Sequence, residues 1–287
     1  MGITRLRQVE LSVDDLEGAI AFNQTAFGLE QIGKEGETVY LGVDGEALLG
    51  LTPGGTGLRC FVVGVESSDD LDELEARLGS HGVSSERRTD SGPDKAGAVR
   101  FKIISGHVIE YAVTDSAAKE LSGSVGARGL DHITLRAPNP KEVAEYLRTV
   151  LRWNITDAAS KPGVPGGWAG AWTRWGGQHH DVAVIGSGPD RPGDTLDHVA
   201  WTITDCNGMA RAADALSELE LPLESGIGRH RLGGNLFAYT WAPGGNRYEF
   251  SAEMDQVDNT EPRVWDVFPY AYSAWGQVPA ETFPKGS

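Results

Sequence analysis

The sequence predicts an α+β protein built from four βαβββ modules in two pairs, and three observations carry that reading. Residues 8–33 (QVELSVDDLEGAIAFNQTAFGLEQIG) lie over residues 132–157 (HITLRAPNPKEVAEYLRTVLRWNITD) without a gap. Residues 58–83 match residues 196–223 as a second pair of units: a strand, a polar helix start, then an amphipathic helix. Finally, His132, His198 and Glu249 stand where the first half has Gln8, Cys60 and Glu110. Two imidazoles and one carboxylate make a facial set that can hold Fe(II) and leave coordination positions open. The chain reads as a tandem duplication in which one half kept a metal site and the other lost it.

Each element has a local reason. The first module opens on an alternating strand (Val9, Leu11, Val13), turns at Asp14-Asp15, and continues as a helix with Leu16, Ala19, Ile20, Phe22 and Phe27 at three-to-four spacing. The third module repeats this with Ile133, Leu135 and Ala137, a turn carrying Pro138 and Pro140, and a helix with Val143, Tyr146, Leu147, Val150 and Leu151. The second and fourth modules close on strands that follow Gly-containing turns, within 105–113 and 244–252. The small, polar stretch 115–128 is expected to be the interdomain linker. This gives an N-terminal domain over 1–114 without a metal, a C-terminal catalytic domain over 129–254, and a tail over 255–287 that packs on its outside. The Gly/Pro-rich stretch 161–170 reads as a loop within the third module. The GGTG at 54–57 precedes a strand and lacks the Lys-Ser/Thr of a phosphate loop, so it reads as a connector.

Composition narrows the partners. A chain of 287 residues fits two domains of ordinary size. A net charge of -16 argues against nucleic acid and against an anionic membrane surface. With only Cys60 and Cys206, a disulfide framework is not expected. No apolar run has the length of a signal peptide or a membrane span, and Leu6 removes the myristoylation pattern, so a cytoplasmic protein is expected.

The three candidate metal ligands lie on three separate strands, where local spacing cannot identify them. The two histidines are expected at the first or second position of their strands. A lone strand histidine is ordinarily a core or surface residue, and alternation in Tyr248-Glu249-Phe250 leaves exposure of Glu249 open. The repeat carries the inference, because pseudo-symmetric packing would bring all three into one cup of sheet.

The segments GLDHITL, LDHVAW and NRYEFS, with GRHRLGGNLFAYTWAPGGNRYEF joining the last landmarks, resemble the vicinal-oxygen-chelate superfamily. Within it they resemble the two-domain extradiol catechol 2,3-dioxygenases, and the tail EPRVWDVFPYAYSAWGQVPAETF is similar to the homoprotocatechuate 2,3-dioxygenase branch. The resemblance implies one Fe(II), or Mn(II) in some members, held by His132, His198 and Glu249. It implies a dioxygenase taking a catechol and O2 to a 2-hydroxymuconic semialdehyde-type product, and a homo-oligomer. It puts His180 at the position of an acid/base, and His230 and Tyr239 at positions that hold and polarise the substrate. Trp172 falls at a position that lines the substrate. Alternation allows only one of His179 and His180 to face inward, and His180, directly before Asp181-Val182-Ala183-Val184, is expected to be that one.

One departure bears on specificity. The branch has a carboxylate-binding arginine five residues before the Gly228-Arg229-His230 histidine, and this chain has Ser225 there. A guanidinium is the natural bidentate partner of a carboxylate, so its loss argues against an arylacetate substrate. Two alternatives stay open: another metal-dependent enzyme of the superfamily, an isomerase or epoxide-opening transferase, and a metal-free protein that binds an aromatic ligand.

Overall fold

A computed structural model describes residues 1–287 apart from 90–91, 93–96, 115–119, 188–194 and 267–271. The chain runs through four modules of one strand, one helix and three strands. The first comprises β1 (Ile3–Val13), α1 (Leu16–Phe27), β2 (Glu30–Glu35), β3 (Thr38–Val43) and β4 (Glu46–Pro53). The second comprises β5 (Gly57–Val65), α2 (Ser68–Ser80), β6 (Ser85–Arg88), β7 (Ala98–Lys102) and β8 (Val108–Val113). The third comprises β9 (Gly129–Ala137), α3 (Pro140–Tyr146), β10 (Asn154–Ser160), β11 (Trp168–Arg174) and β12 (Val182–Gly186). The fourth comprises β13 (Thr195–Thr202), α4 (Cys206–Glu218), β14 (Leu223–Arg229), β15 (Leu236–Trp241) and β16 (Arg247–Ala252). A short strand from the tail, β17 (Arg263–Trp265), follows.

The helices start where the sequence offers a cap. Asp15 accepts from the Gly18 amide, Ser67 and Asp70 form a capping box, and Asp205 accepts from the Gly208 amide at 2.7 Å. Asn139 caps α3, with Pro140 at its first position. This helix then widens into a π turn over Leu147–Leu151. Helix α1 ends on Gly28 in the left-handed region at φ 68°, where a Cβ would lie 2.8 Å from the Gly123 nitrogen.

The strands form two sheets with matching order. The first runs β2-β3-β4-β1-β5-β8-β7-β6, and the second runs β14-β15-β16-β13-β9-β12-β11-β10-β17. In every module the opening strand pairs in parallel with the closing one, and the two opening strands of each sheet join antiparallel. Register repeats as well as order. Glu10 faces Cys60 as Thr134 faces His198, and Val62 faces Glu110 as Ala200 faces Glu249. The duplication therefore holds at single-residue resolution, and the positions compared between the halves are structural equivalents.

One apolar core joins the helices of both halves. Phe27 and Trp201, both fully buried, stack at 4.0 Å between ring centroids. Trp153 donates from Nε1 to the Tyr111 hydroxyl at 3.0 Å and packs edge-on against Trp175. No helix among the described residues is long and apolar enough to cross a membrane.

Three expectations change. His132 and His198 are each the fourth residue of their strand, because both strands start earlier than the apolar alternation indicates. The linker region, described from residue 120 onward, is not merely polar: Leu121, Val125 and Ala127 are buried, and the Ser124 and Val125 amides bond to the end of α1. The tail does more than cover the outside. Its strand β17 extends the second sheet beside β10, and its last residue bonds through its amide to the Leu196 carbonyl.

Replacing Phe27 by Ala is expected to cost about 3–5 kcal/mol, the usual loss for a fully buried aromatic side chain. Urea unfolding measured by tryptophan fluorescence checks it; a loss near zero would contradict the shared core.

Candidate metal centre

Strands β9, β13 and β16 lie side by side in the middle of the second sheet, and this adjacency brings His132, His198 and Glu249 together. All three side chains are buried, and their ligand atoms lie within 4.8 Å of one another. Glu249 Oε2 is 3.1 Å from His132 Nε2 and 2.8 Å from His198 Nε2. Burial excludes the solvent-facing reading of Glu249 that strand alternation left open.

The second nitrogens of the two imidazoles decide what the first ones can do. His198 Nδ1 donates to Asp197 at 2.7 Å, and His132 Nδ1 donates to Asp131 at 3.4 Å. When it carries no second proton, each ring turns an Nε2 lone pair inward. Those two nitrogens are 3.4 Å apart, beside a buried carboxylate. Two lone pairs and an anion converging on one point repel unless a cation lies between them. In the metal-free chain a proton serves. Burial works against charge on His132, but Glu249 and Asp131 together outweigh it, raising the His132 pKa to about 10. For Glu249, burial opposes ionisation, and His132 and His198 overcome it, holding the carboxyl well below its usual range. The donor set, its shape and its hydrogen-bonded imidazoles all fit a divalent transition metal.

The sequence-predicted residues around this centre converge on a cavity of about 240 Å³. His180 lines it, with its ring 4.3 Å from that of His132. Burial, followed by the neighbouring His132 and His179, pushes the His180 pKa well below the usual histidine range, so the ring is neutral. Tyr239 and His230 line another wall. His230 Nδ1 donates to the Tyr272 carbonyl at 2.8 Å, which leaves Nε2 to accept from the Tyr239 hydroxyl at 3.0 Å. Burial first, then Glu249, raises the Tyr239 pKa well above its ordinary value, so the phenol keeps its proton. Trp172, half-buried, lines the cavity, as do Ala159, Ala169, Ala183 and Ile185. Among the described lining residues there is no lysine or arginine.

His179 corrects the sequence reading. It does not point outward: it is fully buried, and its Nδ1 lies 3.0 Å from His180 Nδ1. Asp181 interrupts the alternation, since its carboxylate accepts from the amides of Trp175 and Gly176 in the turn before β12. Ser225 lies outside the cavity lining and shares a 3.0 Å hydrogen bond with the Tyr272 hydroxyl.

Several site residues were not found from sequence. Asp131 and Asp197 orient the two histidines, and the repeated Asp-His pair in LDHITL and LDHVAW was the available signal. Asp197 is in turn held by Arg136 and by Arg247. Asn235 donates to Glu249 Oε1 at 3.3 Å. Tyr272 and Phe283 come from the tail and line the cavity, and no periodicity points to them.

The equivalent cup in the first half is closed by a protein cation. Arg100 faces Glu110 in the ladder as Tyr239 faces Glu249, and its Nε donates to Glu110 Oε2 at 2.8 Å. Gln8 donates to Glu10 at 3.2 Å, and the buried Cys60 thiol donates to the Phe61 carbonyl at 3.5 Å. A guanidinium thus lies against the carboxylate equivalent to Glu249.

The arrangement is a set of three side chains that could hold a metal ion within paired βαβββ modules. Residues 129–250 match the family model described as the Glyoxalase/Bleomycin resistance protein/Dioxygenase superfamily. The chain is 26% identical over 288 residues to a manganese-dependent 2,3-dihydroxybiphenyl 1,2-dioxygenase of Geobacillus genomosp. 3, covering 92% of this chain and 90% of that one. It superposes at a TM-score of 0.86 and 23% identity on homoprotocatechuate 2,3-dioxygenase from Brevibacterium fuscum, covering 100% of this chain and 92% of the other. It also superposes at 0.83 and 25% identity on the Mn(II)-bound glyoxalase from Novosphingobium aromaticivorans, over 98% and 94% of the two chains. The chain as a whole has the two-domain vicinal-oxygen-chelate fold.

Metal binding should displace the His132 proton. With that pKa raised to about 10, a divalent ion added at neutral pH is expected to release about one proton, and apparent affinity should rise with pH up to that value. Calorimetry in buffers of different ionisation enthalpy measures the release; binding without any would contradict the proposed ligation.

Proposed function

We propose that the chain is an extradiol ring-cleaving dioxygenase, inserting both atoms of O2 into a catechol-type substrate to give a 2-hydroxymuconic semialdehyde-type product. The observation that carries this reading is the buried His132, His198 and Glu249 set opening into a cavity flanked by His180 on one side and by Tyr239 with His230 on the other. The likeness along most of the chain to the dihydroxybiphenyl dioxygenase supports it. Residues 129–254 are then the catalytic domain and residues 1–114 the scaffold. The metal in this reading is Fe(II), with Mn(II) as the alternative that the same relative's manganese dependence supports. Bound there, the ion would supply open positions for the two catechol oxygens and for O2.

The chain's own residues do the rest. His180, neutral and facing the cavity, takes a proton from a catechol hydroxyl and returns it later, as a general base and then acid. The Tyr239 phenol, kept protonated and anchored by His230, holds and polarises a substrate oxygen from another direction. The wall of alanines with Trp172 and Ile185 receives the ring and keeps water out. Without a lysine or arginine among the described lining residues, and with Ser225 in place of an arginine, a neutral catechol suits the site better than an arylacetate. The acidic composition and two cysteines not joined in a disulfide support a cytoplasmic setting.

The likeness to the Mn(II)-bound glyoxalase favours a second reading, a metal-dependent isomerase. A colour test separates the two. Protein loaded with Fe(II) without oxygen is mixed with a panel of neutral catechols in air, and a yellow ring-fission product is expected. Absence of that product for every catechol would sink the dioxygenase reading. Replacing His180 by Ala should lower kcat by roughly 10²-fold or more with metal content unchanged; full turnover would contradict the acid/base role.

A further inference from the structure

Behind His180 lies a buried chain of hydrogen bonds that the reading above does not use. His180 Nδ1 meets His179 Nδ1 at 3.0 Å, and His179 Nε2 meets Asp157 Oδ2 at 3.0 Å. Arg263 closes the chain from the tail, its Nε reaching Asp157 Oδ1 at 2.7 Å and its second nitrogen reaching Oδ2 at 3.1 Å. Asp157 and His179 are fully buried, whereas about half of the Arg263 side chain is exposed. The placement is built in: Asp157 on β10 is the ladder partner of Arg263 on β17, and the His179 amide donates to the Asp255 carbonyl at 2.8 Å.

The direction of every hydrogen bond in this chain follows from one end. Burial works against ionisation of Asp157, and the bonds from His179 and Arg263 outweigh it, holding the carboxyl below its usual range. An ionised carboxylate only accepts, so His179 must donate to it from Nε2. Arg263 already pairs with the Asp157 carboxylate through two hydrogen bonds, and a neutral His179 donating from Nε2 keeps a lone pair on Nδ1. His180 must then donate from Nδ1 into that lone pair. Its Nε2 is left bare for the cavity.

We propose that Asp157 and His179 are positioning residues that fix the tautomer of His180, so that its basic nitrogen always faces the substrate. An unconstrained histidine populates both neutral tautomers, and one of them would offer the substrate a donor where a base is needed. The pair also provides a place for the proton. When His180 Nε2 accepts a proton from the substrate hydroxyl, its Nδ1 proton can pass to His179 Nδ1, and the reverse transfer restores both rings. No atom or electron is added, and the moved charge rests beside Asp157.

The test reads the tautomer directly. Metal-free protein labelled with 15N-histidine is measured by long-range 1H–15N correlation, which distinguishes the two ring nitrogens in each of the 7 histidines. Signals lost in His180→Ala give the assignment. The expected wild-type result is His180 protonated on Nδ1; protonation on Nε2 overturns the proposal. In Asp157→Asn, Arg263 keeps the amide oxygen toward its Nε and turns the amide nitrogen toward His179. That reverses both imidazole bonds, so His180 should move to the Nε2-protonated form. An unchanged tautomer in the folded variant also overturns the proposal.

Kinetics give a second readout. Asp157→Asn should lose roughly 10²-fold in kcat, the usual worth of a general base, with KM and metal content held. A KM rise with loss of metal and no change in kcat would overturn the positioning role. The inference rests on His180 as the acid/base, yet the two readings fail separately. A panel of catechols without ring fission removes the dioxygenase and leaves the tautomer measurement standing, and a wrong tautomer removes the relay whatever the turnover.

Discussion

The constraint on which the second half depends is electrostatic: two imidazole lone pairs and one carboxylate meet at a single buried point. Such a meeting is repulsive unless a positive charge occupies it. Much of the surrounding structure exists to make the meeting unavoidable. Asp131 and Asp197 hold the outer nitrogens of the two rings, so neither ring can turn its lone pair away. Arg136 and Arg247 in turn neutralise buried Asp197. Arg247 also binds Glu224 and the carbonyls of Thr282 and Phe283, which ties this network to the tail that closes the cavity.

The first half meets the same constraint in a different way. Its ladder repeats the second sheet residue for residue, and Glu110 sits buried at the place of Glu249. Gln8 and Cys60 stand in place of the two imidazoles. Arg100, at the position equivalent to Tyr239, brings a guanidinium to the carboxylate. One protein scaffold thus carries two solutions to one buried carboxylate, an arginine in one cup and a metal-binding set in the other. In the second, a cavity adjoins the carboxylate.

The modules were legible in the sequence because each is a local unit. Alternation, cap residues and three-to-four spacing mark strand and helix without reference to anything distant, and the ungapped overlay of residues 8–33 on 132–157 doubled the signal. The ligands were legible through equivalence, since a break in a repeat stands out. Residues whose role depends on distant partners were hidden. Arg100 looks like any strand arginine until Glu110 is opposite it. His179 looked outward-facing because alternation assumes a regular strand, and Asp181 bends the approach to β12. Tyr272, Phe283 and Arg263 belong to a tail without periodicity, whose contacts lie in a sheet formed from residues far earlier in the chain.

The central claim is that this chain carries one metal centre, made by His132, His198 and Glu249. Metal analysis after anaerobic Fe(II) loading and desalting tests it most directly, with wild type, Glu249→Ala and Glu110→Ala measured side by side. The account predicts a single ion per chain in wild type, the same in Glu110→Ala, and none in Glu249→Ala. A second ion in wild type, or iron retained by Glu249→Ala, would contradict it.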